Sequence, residues 1–254
     1  MSSITKHRTV HPTAVGGFTL IELLVVISII GLLATLIIPS LGGALEMSRR
    51  ATCAANLREI AKGCKAYALE NRYHRGTISK ALPSNGPTSN NWGDMEDGNP
   101  GSLWLLIEHK FASGVVMMCP AAKRSREGFR TASVEDGSFE KGTLAYSYLS
   151  QVPFRDSNDN RTWEQTPITQ DEVGALVIAA DLNPICEQGT ESIDNSEKGK
   201  NSRNHGREGQ NVARLSEVVE WVTTTEVNGD DIYTSQGSES DGERDHLSDA
   251  FLIP

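Results

Sequence analysis

The stretch 18-FTLIELLVVISIIGLLATLIIPSL-41 decides the reading of this chain. As an α-helix it extends about 36 Å, enough to cross a hydrocarbon core of roughly 30 Å. A secretory signal peptide carries a shorter apolar region, about 7 to 15 residues, followed by a small-residue cleavage site, so removal after this run is the weaker reading. Lys6, His7 and Arg8 precede the run and no comparable basic cluster stands just beyond Leu41. The positive-inside rule therefore places residues 1–17 in the cytoplasm and the rest of the chain beyond the membrane.

One residue does not suit a plain anchor. Glu22 stands between Thr19, Leu20 and Ile21 on one side and Leu23, Leu24 and Val25 on the other. A charge at mid-bilayer costs at least about 2.5 kcal/mol, and acids in such segments usually pair with a partner. The alternative is snorkelling, since Glu22 lies only about 6 Å along the helix from Phe18. Pro39 removes a backbone donor, so the sequence predicts a kink or a local melt near Leu36 to Ile38, or simply the exit of the helix from the membrane.

Beyond Gly42 and Gly43, residues 44–71 (ALEMSRRATCAANLREIAKGCKAYALEN) have helix-forming composition. Cys53, Leu57, Ile60, Cys64 and Tyr67 recur at helical spacing, and Arg49, Arg50, Arg58, Glu59, Lys62 and Lys65 fill the other side. This is an amphipathic continuation laid against a sheet, not a second span. Cys53 and Cys64 share one stripe but are separated by roughly 16 Å of helix axis, whereas a disulfide needs Cα atoms within about 7 Å. Each pairs with Cys119 or Cys186, or stays a buried thiol; Cys53 with Cys119 is the preferred pair. Four cysteines in an exported domain permit two disulfides.

The string GGFTLIELLVVISIIGLLATLIIPSL resembles the N-terminal signal of type IV pilins and type II secretion pseudopilins: a short basic leader, glycine, phenylalanine, glutamate at the fifth mature position and proline about twenty residues on. The resemblance implies cleavage by a prepilin peptidase after Gly17 and N-methylation of Phe18. It also implies that Glu22 pairs with the Phe18 amine of a neighbouring subunit. It implies an α+β, pilin-like fold in which a long N-terminal helix packs on a small antiparallel sheet with long loops. The expected organisation is a leader at 1–17, an assembly helix at 18–41, its amphipathic continuation at 42–71, and a loop-rich extracytoplasmic β domain at 72–254 with an acidic tail. A buried ammonium at Phe18 facing a carboxylate on the next helix would favour one stagger between subunits.

In the distal part, residues 76–101 are rich in Gly, Asn, Ser and Pro and read as a long loop, followed by a short helix (SLWLLIEHK). MMCPAA, LAYSYL, VGALVIAADLNP and NSRNHGREGQNVARLSEVVEWV resemble, in order, the C-terminal domain of pilin-like proteins abundant in planctomycetes and their relatives. Those proteins carry a histidine and then Asp-Gly about ten residues on. Here His205 begins the block, but Ser216 and Glu217 stand where Asp-Gly would turn the hairpin between NVARL and VVEWV. Asp-Gly supplies the positive φ angles of a tight turn and Ser-Glu does not, so the loop must widen or the strands shift.

His205 has no second histidine or cysteine at ligand spacing and reads as a hydrogen-bonding loop histidine. The acids after Gly229, among them Asp230, Asp231, Asp241, Glu243 and Asp245, could offer oxygens to Ca²⁺. They lack the Gly and Glu positions of an EF-hand, and a solvated acidic tail is the simpler reading. No other cofactor is expected.

The chain has 254 residues and a net charge of −9; taking away Lys6 and Arg8 brings this to about −11 for the part after residue 17. That balance disfavours nucleic acid as a partner. The sequence holds no Walker loop, G-x-S-x-G, H-E-x-x-H or C-x-x-C, so no enzyme signature is present. The expected function is that of a structural subunit in the inner membrane, with the prepilin peptidase and other pilin or pseudopilin subunits as partners, in a pilus-like fibre or a secretion pseudopilus. The alternative is a permanently anchored extracytoplasmic binding module.

Overall fold

The computed structural model describes residues 17–70, 99–122, 144–149, 154–155, 161–162, 175–186, 194–234 and 252–253. Helix α1 is Leu20–Glu70, and the chain divides into two compact units after Leu45.

In the first unit, Leu20–Ile38 is long and apolar enough to cross a membrane by length and composition, and its side chains face outward. Ser28 Oγ and Thr35 Oγ1 return hydrogen bonds to the Leu24 and Leu32 carbonyls, so these hydroxyls are satisfied within the helix. The predicted melt near Leu36 to Ile38 does not occur: α1 continues through Pro39. Proline costs the helix one internal hydrogen bond at this point, and the helical turns on both sides remain formed.

The second unit is an antiparallel sheet with the remainder of α1 in its core. Strands β1 (Tyr146–Leu149), β4 (Val177–Asp181), β5 (Gln210–Arg214), β6 (Val219–Val222) and β9 (Leu252–Ile253) form five strands in the order β6-β5-β4-β1-β9. Two small hairpins stand apart from it: β2 (Phe154–Arg155) with β3 (Arg161–Thr162), and β7 (Glu226–Val227) with β8 (Asp230–Asp231). β1 and β4 are buried at every residue, as central strands covered on both faces must be. Cys53, Leu57, Ile60, Ala61 and Cys64, on one stripe of α1, join Tyr146, Tyr148, Ile178, Ala180 and Val212 in a single apolar core. Asn56 on the same helix donates to the Met118 carbonyl (2.7 Å) and to the Tyr146 hydroxyl (3.2 Å).

The long loop expected over 76–101 ends earlier than its composition suggests, because Asn99 already begins helix α2 (Asn99–Glu108); the loop up to residue 98 lies outside the described residues. α2 closes with a left-handed Lys110 (φ 62°), and the amides of Phe111 and Lys110 bond back to Leu106 and Ile107. This is a Schellman closure built without its usual glycine. Gly63 lets α1 approach that turn: a Cβ there would stand 3.3 Å from the Phe111 carbonyl.

Of the C-terminal acids, Asp230 and Asp231 are described, and both are half-buried. Asp230 and Asp231 pair with Val227 and Glu226 in the β7–β8 hairpin, and Leu252, fully buried, pairs with Leu149 at the sheet edge. Leu252, an apolar residue beyond an acidic stretch, is stabilised by its burial in the core.

The β5–β6 turn takes the wider form. Glu217 N–H bonds to the Arg214 carbonyl, Arg214 N–H bonds to the Val218 carbonyl, and Glu217 adopts φ 68°. Three residues, Leu215 to Glu217, thus do the work of a two-residue Asp-Gly turn, with the left-handed position falling on a glutamate.

Candidate functional site

The N-terminal unit presents Gly17 and Phe18 fully accessible; Phe18 is 78% exposed. Thr19 and Glu22 form a reciprocal cap at the start of α1. Thr19 Oγ1 accepts from Glu22 N–H at 3.3 Å, while a Glu22 carboxylate oxygen accepts from Thr19 N–H at 2.8 Å and from the Thr19 hydroxyl at 2.7 Å. This is a capping box, and its T-x-x-E signature stands in the sequence as Thr19-Leu-Ile-Glu22. Reading Glu22 only as an intramembrane charge misses it. The carboxylate answers the Thr19 amide, one of those that a helix start leaves without an intrahelical partner.

In the second unit, Cys53 of α1 and Cys119 are joined by a disulfide with Cα atoms 5.3 Å apart. Cys64 and Cys186 remain thiols. Burial pushes Cys64 up to about 12, so it stays protonated.

Against this disulfide lies His205. His205 stands in a short turn and is hydrogen-bonded there, with its side chain fully buried, 0% exposed. It ends a 3-10 turn, Arg203–His205, whose first residue follows Ser202; the Ser202 hydroxyl caps the turn and donates to the Leu182 carbonyl at 2.8 Å. Gly206, left-handed at φ 65°, then releases the chain into β5. The ring stands edge-on to Trp221 of β6, centroids 5.3 Å apart, and the Arg50 guanidinium covers the indole at 4.1 Å.

Both ring nitrogens have acidic partners. Nδ1 lies 2.8 Å from Glu46 Oε1, and Nε2 lies 3.4 Å from Asp181 Oδ2 and 3.7 Å from Cys119 Sγ. Burial works against a charged imidazole here, but the hydrogen bonds and charges of Asp181 and then Glu46 outweigh it, so the pKa of His205 lies above its ordinary value. Asp181, at the end of β4, is itself fully buried and held in place. Its Oδ2 accepts from the Asn211 backbone N–H (2.7 Å) and Nδ2 (3.2 Å), its Oδ1 faces Asn204 Nδ2 (3.4 Å), and its carbonyl accepts from the Tyr233 hydroxyl at 2.5 Å. The Asp181 carboxylate beside His205 is thereby oriented by further partners, as an ordered buried network requires.

The partners of His205 come from positions 46, 119 and 181, none at a spacing that a one-dimensional motif could reveal. Of the acids considered for Ca²⁺, only Asp230 and Asp231 lie among the described residues. Asp231 accepts from the Tyr233 amide within its own turn at 3.1 Å, and Asp241, Glu243 and Asp245 lie outside the described residues.

Residues 13–38 match the family described as the prokaryotic N-terminal methylation motif. Over 68 residues the chain is 37% identical to type II secretion system core protein G of Escherichia coli (strain K12), a stretch that covers 27% of this chain and 46% of that relative. The chain thus spans less than half the length of the curated relative it matches. No solved structure matches. With a methylation motif over residues 13–38 and a long helix followed by a small antiparallel sheet, the chain is similar to pilins and pseudopilins.

Proposed function

We propose that this chain is a structural subunit of a pilus-like fibre or a type II secretion pseudopilus, made as a precursor in the inner membrane with residues 1–17 in the cytoplasm. A prepilin peptidase cuts after Gly17, and the apolar part of α1 then packs with other subunits of the same kind. The observation that carries this reading is the match of residues 13–38 to the methylation motif, with Glu22 four residues beyond Phe18.

The geometry supports a double role for Glu22. An ionised carboxylate has about four acceptor sites. In the precursor it caps its own helix through one oxygen. Acceptor capacity remains for the ammonium that cleavage creates at Phe18 of an adjacent subunit, an ion pair that hydrocarbon surroundings would strengthen.

The test is the intact mass and N-terminal residue of the protein from membranes of its native cell. A mature chain beginning at methylated Phe18 is expected; a chain retaining residues 1–17, or cut after Leu41, overturns the reading in favour of an anchored or secreted binding protein. Glu22→Gln then separates the two roles of the side chain, because glutamine also serves in a capping box but carries no charge. Processing and insertion should persist while assembly is lost.

A further inference from the structure

Cys53 Sγ, Cys119 Sγ, a carboxylate oxygen of Asp181 and a ring nitrogen of His205 lie within 4.8 Å of one another, and all four side chains are buried. We propose that the dithiol form of the chain binds one Zn²⁺ through Cys53, Cys119, His205 and Asp181, and that the Cys53–Cys119 disulfide is the metal-free, oxidised state of the same site.

The distances are close to those of a tetrahedral zinc centre. Bond lengths of about 2.3 Å to sulfur and about 2.0–2.2 Å to nitrogen and oxygen place the ligand atoms roughly 3.6 Å (N to S) and 3.4 Å (N to O) apart. In this structure His205 Nε2 stands 3.7 Å from Cys119 Sγ and 3.4 Å from Asp181 Oδ2. As thiolates on one metal the two sulfurs would stand roughly 3.8 Å apart, and all four ligand atoms already lie within 4.8 Å of one another.

The surroundings are those of a metal site as well. A zinc-bound histidine almost always gives its other ring N–H to a carboxylate or carbonyl. His205 Nδ1 meets Glu46 at 2.8 Å, an acceptor that would keep the Nδ1 proton in place and give Nε2, beside Cys119 and Asp181, to the metal once that nitrogen releases its own proton. Asp181 is held by Asn211 and Asn204. Two thiolates with an imidazole favour Zn²⁺ over the harder Ca²⁺ and Mg²⁺. The inference does not rest on the assembly role above.

Passage to the disulfide balances as a two-electron exchange. The two thiolates form the sulfur–sulfur bond and the metal leaves. The electron pair, with two protons from solvent, converts the disulfide of a thiol oxidant into a dithiol. Chains still reduced after synthesis would hold the metal, and exported, oxidised chains would hold the covalent link.

The test uses the full chain in detergent, reduced by a phosphine without air, and Co²⁺ as a spectroscopic probe for Zn²⁺. Expected is one Co²⁺ per reduced chain with tetrahedral d–d absorption and a thiolate-to-cobalt charge-transfer band, and none in the disulfide form. The Cys64→Ala/Cys186→Ala double variant should bind as the parent does. His205→Gln should abolish binding, and Glu46→Gln should weaken Zn²⁺ roughly 10- to 100-fold in chelator competition while keeping the spectrum. If His205→Gln fails to fold, the Glu46→Gln and cysteine variants decide. No Co²⁺ uptake on reduction, a spectrum without thiolate charge transfer, or binding that disappears in the Cys64/Cys186 variant would overturn the proposal.

Discussion

His205 Nδ1 donates to Glu46 Oε1 across 2.8 Å, joining residues 159 positions apart in the chain. The bond ties the first residue of the folded unit on α1 to the turn that launches β5. Because an ionised carboxylate can only accept, the proton on Nδ1 is assigned by the partner itself. Glu46→Ala would leave a buried ring N–H without an acceptor, which costs about 1–3 kcal/mol. Glu46→Gln keeps an acceptor and should cost less. Thermal unfolding of the full chain, followed by near-ultraviolet circular dichroism, should rank parent, Gln and Ala in that order.

The disulfide closes a loop of sequence separation 66. On the chain-entropy account this restricts the unfolded chain by about 4 kcal/mol, and removal of such links usually costs about 2–5 kcal/mol. Cys53→Ala/Cys119→Ala should therefore show a lower denaturation midpoint than the parent kept oxidised. A reduced parent without metal should resemble the variant.

Acid should act through Glu197. The Arg207 guanidinium beside it, together with Lys200 and Arg203, outweighs its burial and holds its carboxyl at about 2. The folded pKa is depressed, so its contribution is present above the unfolded value near 4.5 and is lost as pH falls through about 2. Glu197→Gln should lower stability at neutral pH and flatten the decline between those limits. Equal slopes for the two proteins would show that the ion cluster does not hold the turn.

Gly209 precedes β5 where the backbone runs against β6. A Cβ there would overlap the Val222 carbonyl oxygen and lie 2.7 Å from the Trp221 ring. The obstacle is partly backbone, so it cannot swing aside. Gly209→Ala should cost about 1–3 kcal/mol as an overpacking change, and by moving Trp221 it should alter the indole fluorescence. At Glu217 the sign reverses. A left-handed non-glycine residue costs roughly 1–2 kcal/mol, more than its partly exposed 2.6 Å ion pair with Lys65 returns. Glu217→Gly should raise the unfolding temperature, and Glu217→Val should lower it.

Much of the architecture is written in local patterns. The apolar run beginning at Phe18 specifies a spanning helix by length alone, and the stripe through Cys53, Leu57, Ile60 and Cys64 marks the face that enters the core. NVARL and VVEWV mark the β5–β6 hairpin, and the lack of Asp-Gly between them forecasts a wider turn. These features depend on residues a few positions apart, whose relation follows from helix and strand periodicity. The Thr19–Glu22 cap was equally local, and legible as T-x-x-E.

The surroundings of His205 were not legible. Glu46, Cys119 and Asp181 approach it only because α1 lies on the sheet, β4 sits between β5 and β1, and the turn after Ser202 brings the ring inward. Sequence by itself determined the membrane-spanning signal, the helix face and the hairpin. The preferred Cys53–Cys119 pair is the one formed, whereas tertiary structure alone decided which acid meets which imidazole nitrogen, because closing loops of many tens of residues leaves no period in the chain.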